Sequence, residues 1–174
     1  KNMPPKLHHS FLRMKPLLLT AIFLFPICIE NSASSRNFQP RYNSLISQKD
    51  ENFTDKINSL EKEAKEAEAS GLYLIQIKKR KELVNLLENS LAPESPIIAD
   101  GLHALGEAYF VLGLYNKAEI VFLRALSIRR NYLNLQRAIS WGQESKSIKE
   151  AKRNVSISLA SVGSTYTNQL KFKK

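Results

Sequence analysis

The sequence predicts an all-α protein, for three reasons that lie in its composition and patterning. Its 174 residues include only six glycines and seven prolines, which favours helices over a turn-rich β fold. From Phe53 onward apolar residues recur every three or four positions, with Lys and Glu between them, as in amphipathic helices. Glycine or proline separates the successive helical stretches. We therefore expect consecutive helices in antiparallel pairs, joined by short turns.

Four helices are predicted before residue 132. The first runs from Phe53 to a Ser70-Gly71 end, and the second ends before Pro93, because glycine and proline terminate helices. The third covers about residues 97–112 and the fourth about residues 115–131. The apolar stripes are expected to be Ile57, Leu60, Ala64, Ala67 and Leu72; then Leu74, Ile77, Leu83, Val84, Leu87 and Leu91; then Ile98, Leu102, Leu105, Tyr109 and Leu112; then Ala118, Val121, Phe122, Ala125 and Leu126.

Residues 100–130 contain the most specific motif of the chain. Small residues such as Gly106 and Ala118 allow two helices to cross closely, and Tyr109 and Phe122 are large enough to fill the space between helices. A larger side chain at a small position is expected to cost about 1–3 kcal/mol through overpacking. The full signature comprises Leu102, Leu105, Gly106, Tyr109, Gly113, Tyr115, Ala118, Phe122 and Ala125.

This spacing resembles that of the tetratricopeptide repeat family, and the resemblance covers roughly residues 53–174. It implies a tetratricopeptide α-solenoid of stacked helix pairs, which binds other proteins and has no chemistry of its own. In such arrays the first helices line a groove, so the resemblance makes His103, Glu107 and Phe110 candidate groove residues. His103 is expected to lie off the buried stripe and to face solvent or the groove.

The repeat period is 42 residues, because residues 71–73 (Gly-Leu-Tyr) recur as residues 113–115. This period is similar to that of kinesin-light-chain-type arrays, whose repeats are longer than usual. The first repeat, at about residues 57–92, is degenerate and is a candidate capping repeat. The second, at about residues 97–131, is complete. In the first repeat the residues at the positions of Ala118, Phe122 and Ala125 are Gln76, Arg80 and Leu83.

A third signature begins later than this period predicts. Its excess of 15 residues is assigned to residues 133–151, either as an extension of the fourth helix or as an inserted helical segment. The third repeat, at about residues 155–174, is incomplete, so we expect an array that continues past Lys174; the alternative is a true C-terminus capped by a partner. Its signature residues, each 57 positions after Leu102, Leu105, Gly106 and Tyr109, are Leu159, Val162, Gly163 and Tyr166.

Residues 1–35 are predicted to form a secretory signal. A basic, acid-free stretch precedes the apolar residues 17–29, which are too few to span a bilayer as a helix of about 20 residues. Small residues then allow cleavage near Ser34, so a secreted or periplasmic location is expected. The alternative is an uncleaved membrane anchor formed by residues 17–29. Residues 36–52 are interpreted as a flexible linker, and residues 53–174 as the repeat region.

No catalytic, cofactor or metal site is predicted within this chain. After removal of the signal, His103 is the one remaining histidine and no cysteine is left, so a Cys–His pair cannot form. The glutamates in residues 61–68 alternate with lysine, which is typical of a solvated helix face. The net charge of +10 is mixed in sign, and the basic residues 78–81 are also interpreted as a solvated face. A nucleic-acid partner is therefore not expected.

These observations predict a non-catalytic, exported scaffold for protein–protein interaction, with a protein or peptide as its partner. An alternative is enzymatic at the level of a longer protein. Long-repeat arrays behind a signal peptide resemble the N-terminal part of proteins that end in a caspase-like CHAT protease domain. In that case the catalytic His and Cys would lie beyond Lys174.

Overall fold

The computed structural model describes residues 51–141 and 143–171, which form five helices and, within these ranges, no strand. The all-α class is thus confirmed for this part of the chain. Each helix packs mainly against the helices before and after it. The helices are α1 (Glu51–Ala69), α2 (Tyr73–Ser90), α3 (Pro96–Val111), α4 (Tyr115–Ile139) and α5 (Lys146–Lys171).

The predicted signal, with its cleavage near Ser34 and its apolar residues 17–29, lies outside the described residues, as does most of the linker. The end of the linker is corrected, because Glu51 and Asn52 already belong to α1. None of the helices described between residues 51 and 171 combines the length and apolarity that crossing a membrane requires.

Two turns 42 residues apart have the same backbone geometry. Gly71 and Gly113 adopt φ values of 69° and 74°, a left-handed conformation that glycine enters without a steric penalty. The N–H of Leu72 donates to the carbonyl of Ala67 at 2.8 Å, and the N–H of Leu114 donates to that of Tyr109 at 2.9 Å. Each helix end is thus closed by the same Schellman motif. The repeat in the sequence is therefore also a repeat in the structure of α1–α2 and α3–α4.

The predicted apolar stripes are mostly buried, with exceptions at helix ends. Leu102, Leu105 and Tyr109 lie in the core. Leu72, Leu74 and Leu112, in contrast, are exposed, because Leu74 lies in the first turn of α2 and the other two fall just outside a helix. Periodicity alone gave these three positions the wrong environment, since the neighbouring helices do not reach that far.

The extra residues of the late third signature lengthen two helices. Helix α4 continues to Ile139, eight residues past the predicted end, and α5 begins at Lys146, nine residues before the predicted third repeat. The Ser145 hydroxyl accepts a hydrogen bond from the Ile148 N–H at 3.2 Å and so caps α5. The two extensions pack on each other through Leu133, Ile148 and Ala151. The predicted extension of the fourth helix is thus confirmed and accounts for half of the excess.

Candidate functional site

Helices α3 and α4 cross closely at Gly106. A Cβ atom at this glycine would lie 2.5–2.6 Å from two ring carbons of Phe122, closer than real Cβ contacts come. Phe122 is buried here, with Leu102 and Tyr109 of α3 buried in the same core. Glycine is therefore required at position 106 by the aromatic ring that α4 places over it. The signature residues Ala118 and Ala125, on the same helix as Phe122, are fully buried.

The expected exposure of His103 is wrong. Its side chain is 1% exposed, and its ring centroid lies 5.1 Å from that of Phe122. Its Nδ1 lies 3.5 Å from a guanidinium nitrogen of Arg129, which can only donate, so Nδ1 accepts and Nε2 carries the proton. Nε2 then faces Glu107 Oε1 at 3.4 Å. His103 is a core residue because α4 and α5 supply polar partners that cannot be read from α3 alone.

The other two candidate groove residues, Glu107 and Phe110, are partly exposed. The Phe110 ring packs edge-on against Tyr115, with centroids 5.3 Å apart. Phe110 thus contributes to the packing between α3 and the start of α4. Of the three candidates, Glu107 and Phe110 retain surface that a ligand could reach, whereas His103 does not.

In the first helix pair a buried ion pair stands where the second has a pair of rings. Glu61 and Arg80 precede His103 and Phe122 by 42 residues, and their side chains meet at 2.7 Å. Both are buried. Ala64 occupies the position of Gly106, so an aromatic ring at position 80 would meet its Cβ. The degenerate first repeat is therefore a different solution to the same crossing of helices.

This ion pair corrects two interpretations of the sequence. The glutamates of residues 61–68 and the basic residues 78–81 do not form wholly solvated faces, because Glu61 and Arg80 are buried against each other. Lys79 lies 2.7 Å from Glu63. Its hydrogen bond lowers the pKa of the Glu63 carboxyl and raises the pKa of the Lys79 ammonium. Two of the four basic side chains are thus matched with carboxylates, and residues 78–81 form no continuous basic stripe.

A double-mutant cycle tests the buried ion pair. Arg80→Met alone is expected to lower the free energy of unfolding by about 3–5 kcal/mol, since it leaves Glu61 buried without its guanidinium. Glu61→Leu together with Arg80→Met should recover most of this loss, because apolar residues of similar volume often replace such pairs without cost. Urea unfolding followed by circular dichroism measures both. Equal destabilisation in the single and double variants would contradict the pairing.

A second buried polar cluster joins α3, α4 and α5 around Arg129. The guanidinium donates to Asp100 at 2.7 Å and to the Ser158 hydroxyl at 2.7 Å, and also to the backbone carbonyl of Asn154 at 3.3 Å. The Arg129 side chain is 4% exposed. Sequence reasoning missed this cluster. The available signal was that arginine stands 42 residues after the buried Leu87, at a position predicted to be apolar.

The packing of α5 on α4 repeats the packing of α3 on α2. In the first case Gly101 of α3 lies against Leu87, whose side chain would be 3.1 Å from an added Cβ. In the second case Ser158 of α5 lies against Arg129 at 2.7 Å. Ser158 follows Gly101 by 57 residues and Arg129 follows Leu87 by 42, the same two offsets that relate the signatures. One side of α5 is therefore used as the equivalent side of α3 is used.

The other side of α5 differs from its counterpart on α3. Leu102 and Tyr109 are 2% and 6% exposed, whereas Leu159 and Tyr166 are 45% and 43% exposed. Around Gly163, no atom lies within 4 Å of an added Cβ. Val162 alone of the third signature is buried, because it belongs to the side that meets α4. Within the described residues, no helix occupies the place over Gly163 that α4 occupies over Gly106. We call Leu159, Gly163, Tyr166 and Leu170 the open face.

The open face is uncharged and partly fixed in position. Residues 154–170 contain no Asp, Glu, Lys, Arg or His over seventeen consecutive positions. The Tyr166 hydroxyl donates a hydrogen bond to Glu119 of α4, and this bond to a carboxylate raises the pKa of that hydroxyl. Gln169 also donates to Glu119, at 2.6 Å. These contacts tie the C-terminal half of α5 to α4 and orient the Tyr166 ring.

The described residues provide a surface for contact and no evident chemical site. Among residues 51–141 and 143–171, no group of three or more His, Cys, Asp or Glu side chains is placed to hold a metal ion. Comparisons with protein-family models, with characterised proteins and with solved structures find no match to this chain. The inference of function therefore depends on the helices themselves, and the open face is the candidate site.

Proposed function

We propose that this chain is a non-catalytic, exported scaffold of tetratricopeptide type, which binds another protein through the open face of α5. One observation carries this proposal: Gly163 stands uncovered where the equivalent Gly106 is covered by Phe122. The exported location is supported by the sequence of residues 1–35.

The exposure of this surface favours a binding role. Leu159 and Leu170 are large apolar residues at 45% and 67% exposure, and a charged residue is absent for four helical turns around them. Exposed apolar surface of this kind marks interaction sites in soluble proteins. The centre of a protein–protein interface is also depleted of charged residues. A helix face that only contacted water would be expected to carry Lys and Glu, as α1 does.

Site-dependent capture tests the proposal. The full chain, the Leu159→Lys variant and the Leu74→Lys variant are immobilised and exposed to the exported proteins of the source cells. Leu74 is a matched control, since it is exposed and apolar but lies on α2. We expect at least one protein to be retained by the native chain and by Leu74→Lys, and to be lost with Leu159→Lys. Identical sets of retained proteins for all three would contradict the proposal.

A further inference from the structure

We propose that the open face accepts an amphipathic helix of a second protein, which presents an aromatic ring flanked by alanines, as α4 presents Phe122 with Ala118 and Ala125 to α3. This inference rests on the proposed function and adds the class of partner. The occupant is defined by the equivalent site that is filled within the same molecule.

The glycine at the centre of the open face is the first reason. On α3, the ring of Phe122 lies directly over Gly106, where any side chain would obstruct it. On α5, Gly163 has the same neighbours in sequence, with Leu159 four positions before it and Tyr166 three positions after it. Glycine in the middle of a helix costs about 1 kcal/mol relative to alanine. The described contacts of α5 give no use for Gly163, whereas a ring packed over it would.

The residues that flank Gly163 are the second reason. Leu102 and Tyr109 are buried in the core on either side of the Phe122 ring. Leu159 and Tyr166 occupy the same relative positions on α5, and Tyr166 is already held by Glu119. A ring over Gly163 would therefore meet an aliphatic and an aromatic wall of which the second is oriented beforehand. Preorganisation of this kind lowers the entropic cost of binding.

The charge of the open face restricts the partner. With no charged residue from position 154 to 170, a charged side chain brought against the centre of this face would lose its hydration without gaining an opposite charge. The contacting side of the partner is therefore uncharged. Small residues beside the aromatic ring are required for the helices to approach as closely as α3 and α4 do, since Ala118 and Ala125 are fully buried there.

The helix must come from another polypeptide on the evidence of the described residues. The spacing Ala-x3-Phe-x2-Ala occurs once in this sequence, at residues 118–125 of α4. That Phe122 is buried over Gly106 of its own chain and is not available to a second copy. The short turn at Gly113 makes α4 antiparallel to α3, so the bound helix is expected to run antiparallel to α5.

A peptide with the sequence of residues 114–131 provides the probe. Labelled with fluorescein, it is titrated with the full chain and followed by fluorescence anisotropy. We expect saturable binding, and binding at least about tenfold weaker for the same peptide with its phenylalanine replaced by alanine, since an aromatic ring is the largest apolar group lost. The chain variant Gly163→Leu fills the open face and should also weaken binding at least about tenfold.

Controls separate the possible outcomes. Circular dichroism shows whether Gly163→Leu folds, and Leu159→Lys provides a second block of the same face. Binding unaffected by either substitution would place the peptide elsewhere, for example in the site of α4, and would overturn the inference. A concentration-dependent dimer of the native chain that Gly163→Leu abolishes would make a second copy the occupant and also overturn it. Absence of peptide binding, with site-dependent capture retained, would remove the helix partner and leave the proposed scaffold function standing.

Discussion

Replacing Arg129 with methionine is expected to lower the free energy of unfolding by about 3–5 kcal/mol, the cost of removing one partner of a buried ion pair. Methionine fills similar space, so the loss reports the polar contacts more than a cavity. The Asp100 carboxylate loses the guanidinium 2.7 Å away, and the Ser158 hydroxyl loses its donor. Since these contacts join three helices, we also expect α5 to detach before α1 and α2 unfold.

The neighbouring arginine is the control for this substitution. Arg130 is exposed, so Arg130→Met should change the free energy of unfolding by no more than about 0.5 kcal/mol. Urea unfolding measured by circular dichroism gives both values. Similar midpoints for the two variants would contradict the role assigned to Arg129 in holding α5 against α3 and α4.

The same substitution at two equivalent glycines is expected to have opposite effects. Gly106→Ala places a Cβ 2.5 Å from the Phe122 ring and should destabilise the protein by about 1–3 kcal/mol, the range for overpacking. Gly163→Ala meets no atom within 4 Å and should stabilise it by up to about 1 kcal/mol, because alanine is the better helix former. Thermal unfolding of both variants beside the native chain measures the difference.

The sign of the second effect is informative about function. A glycine that lowers the stability of the isolated chain is retained by selection only if it serves another purpose, which here is space for a partner. A loss of stability with Gly163→Ala would mean that position 163 already packs within the chain. In that case the open face would be covered, and the candidate site would have to be sought elsewhere.

Local signals predicted the helix pairs well. Gly71 and Gly113 mark two turns whose hydrogen bonds are equivalent, because a left-handed residue at a helix end is a local requirement that glycine meets. The burial of Leu102 and Tyr109 also followed from periodicity. The membership in a repeat family, the export and the binding role remain predictions.

Features that depend on distant residues were not predicted. His103 is buried because Arg129, 26 residues later, approaches its ring, and Glu61 is buried because Arg80 neutralises it from the next helix. The third signature shows the same limit from the other side. Its spacing identifies Leu159, Gly163 and Tyr166 as packing positions, but whether a packing position is filled depends on the helix that should cover it. The contrast between Gly106 and Gly163 required the structure.

Hydrogen exchange of the full chain, with and without the peptide of residues 114–131, tests the central claim most directly. If an aromatic-bearing helix packs over Gly163, the backbone amides of residues 156–170 should exchange more slowly in the presence of the peptide, since local opening of α5 becomes rarer. Amides of α1 and α2 should be unchanged, and Gly163→Leu should abolish the protection of α5. Protection confined to α3 and α4, or equal protection in the Gly163→Leu variant, would contradict the assignment of the open face as the binding site.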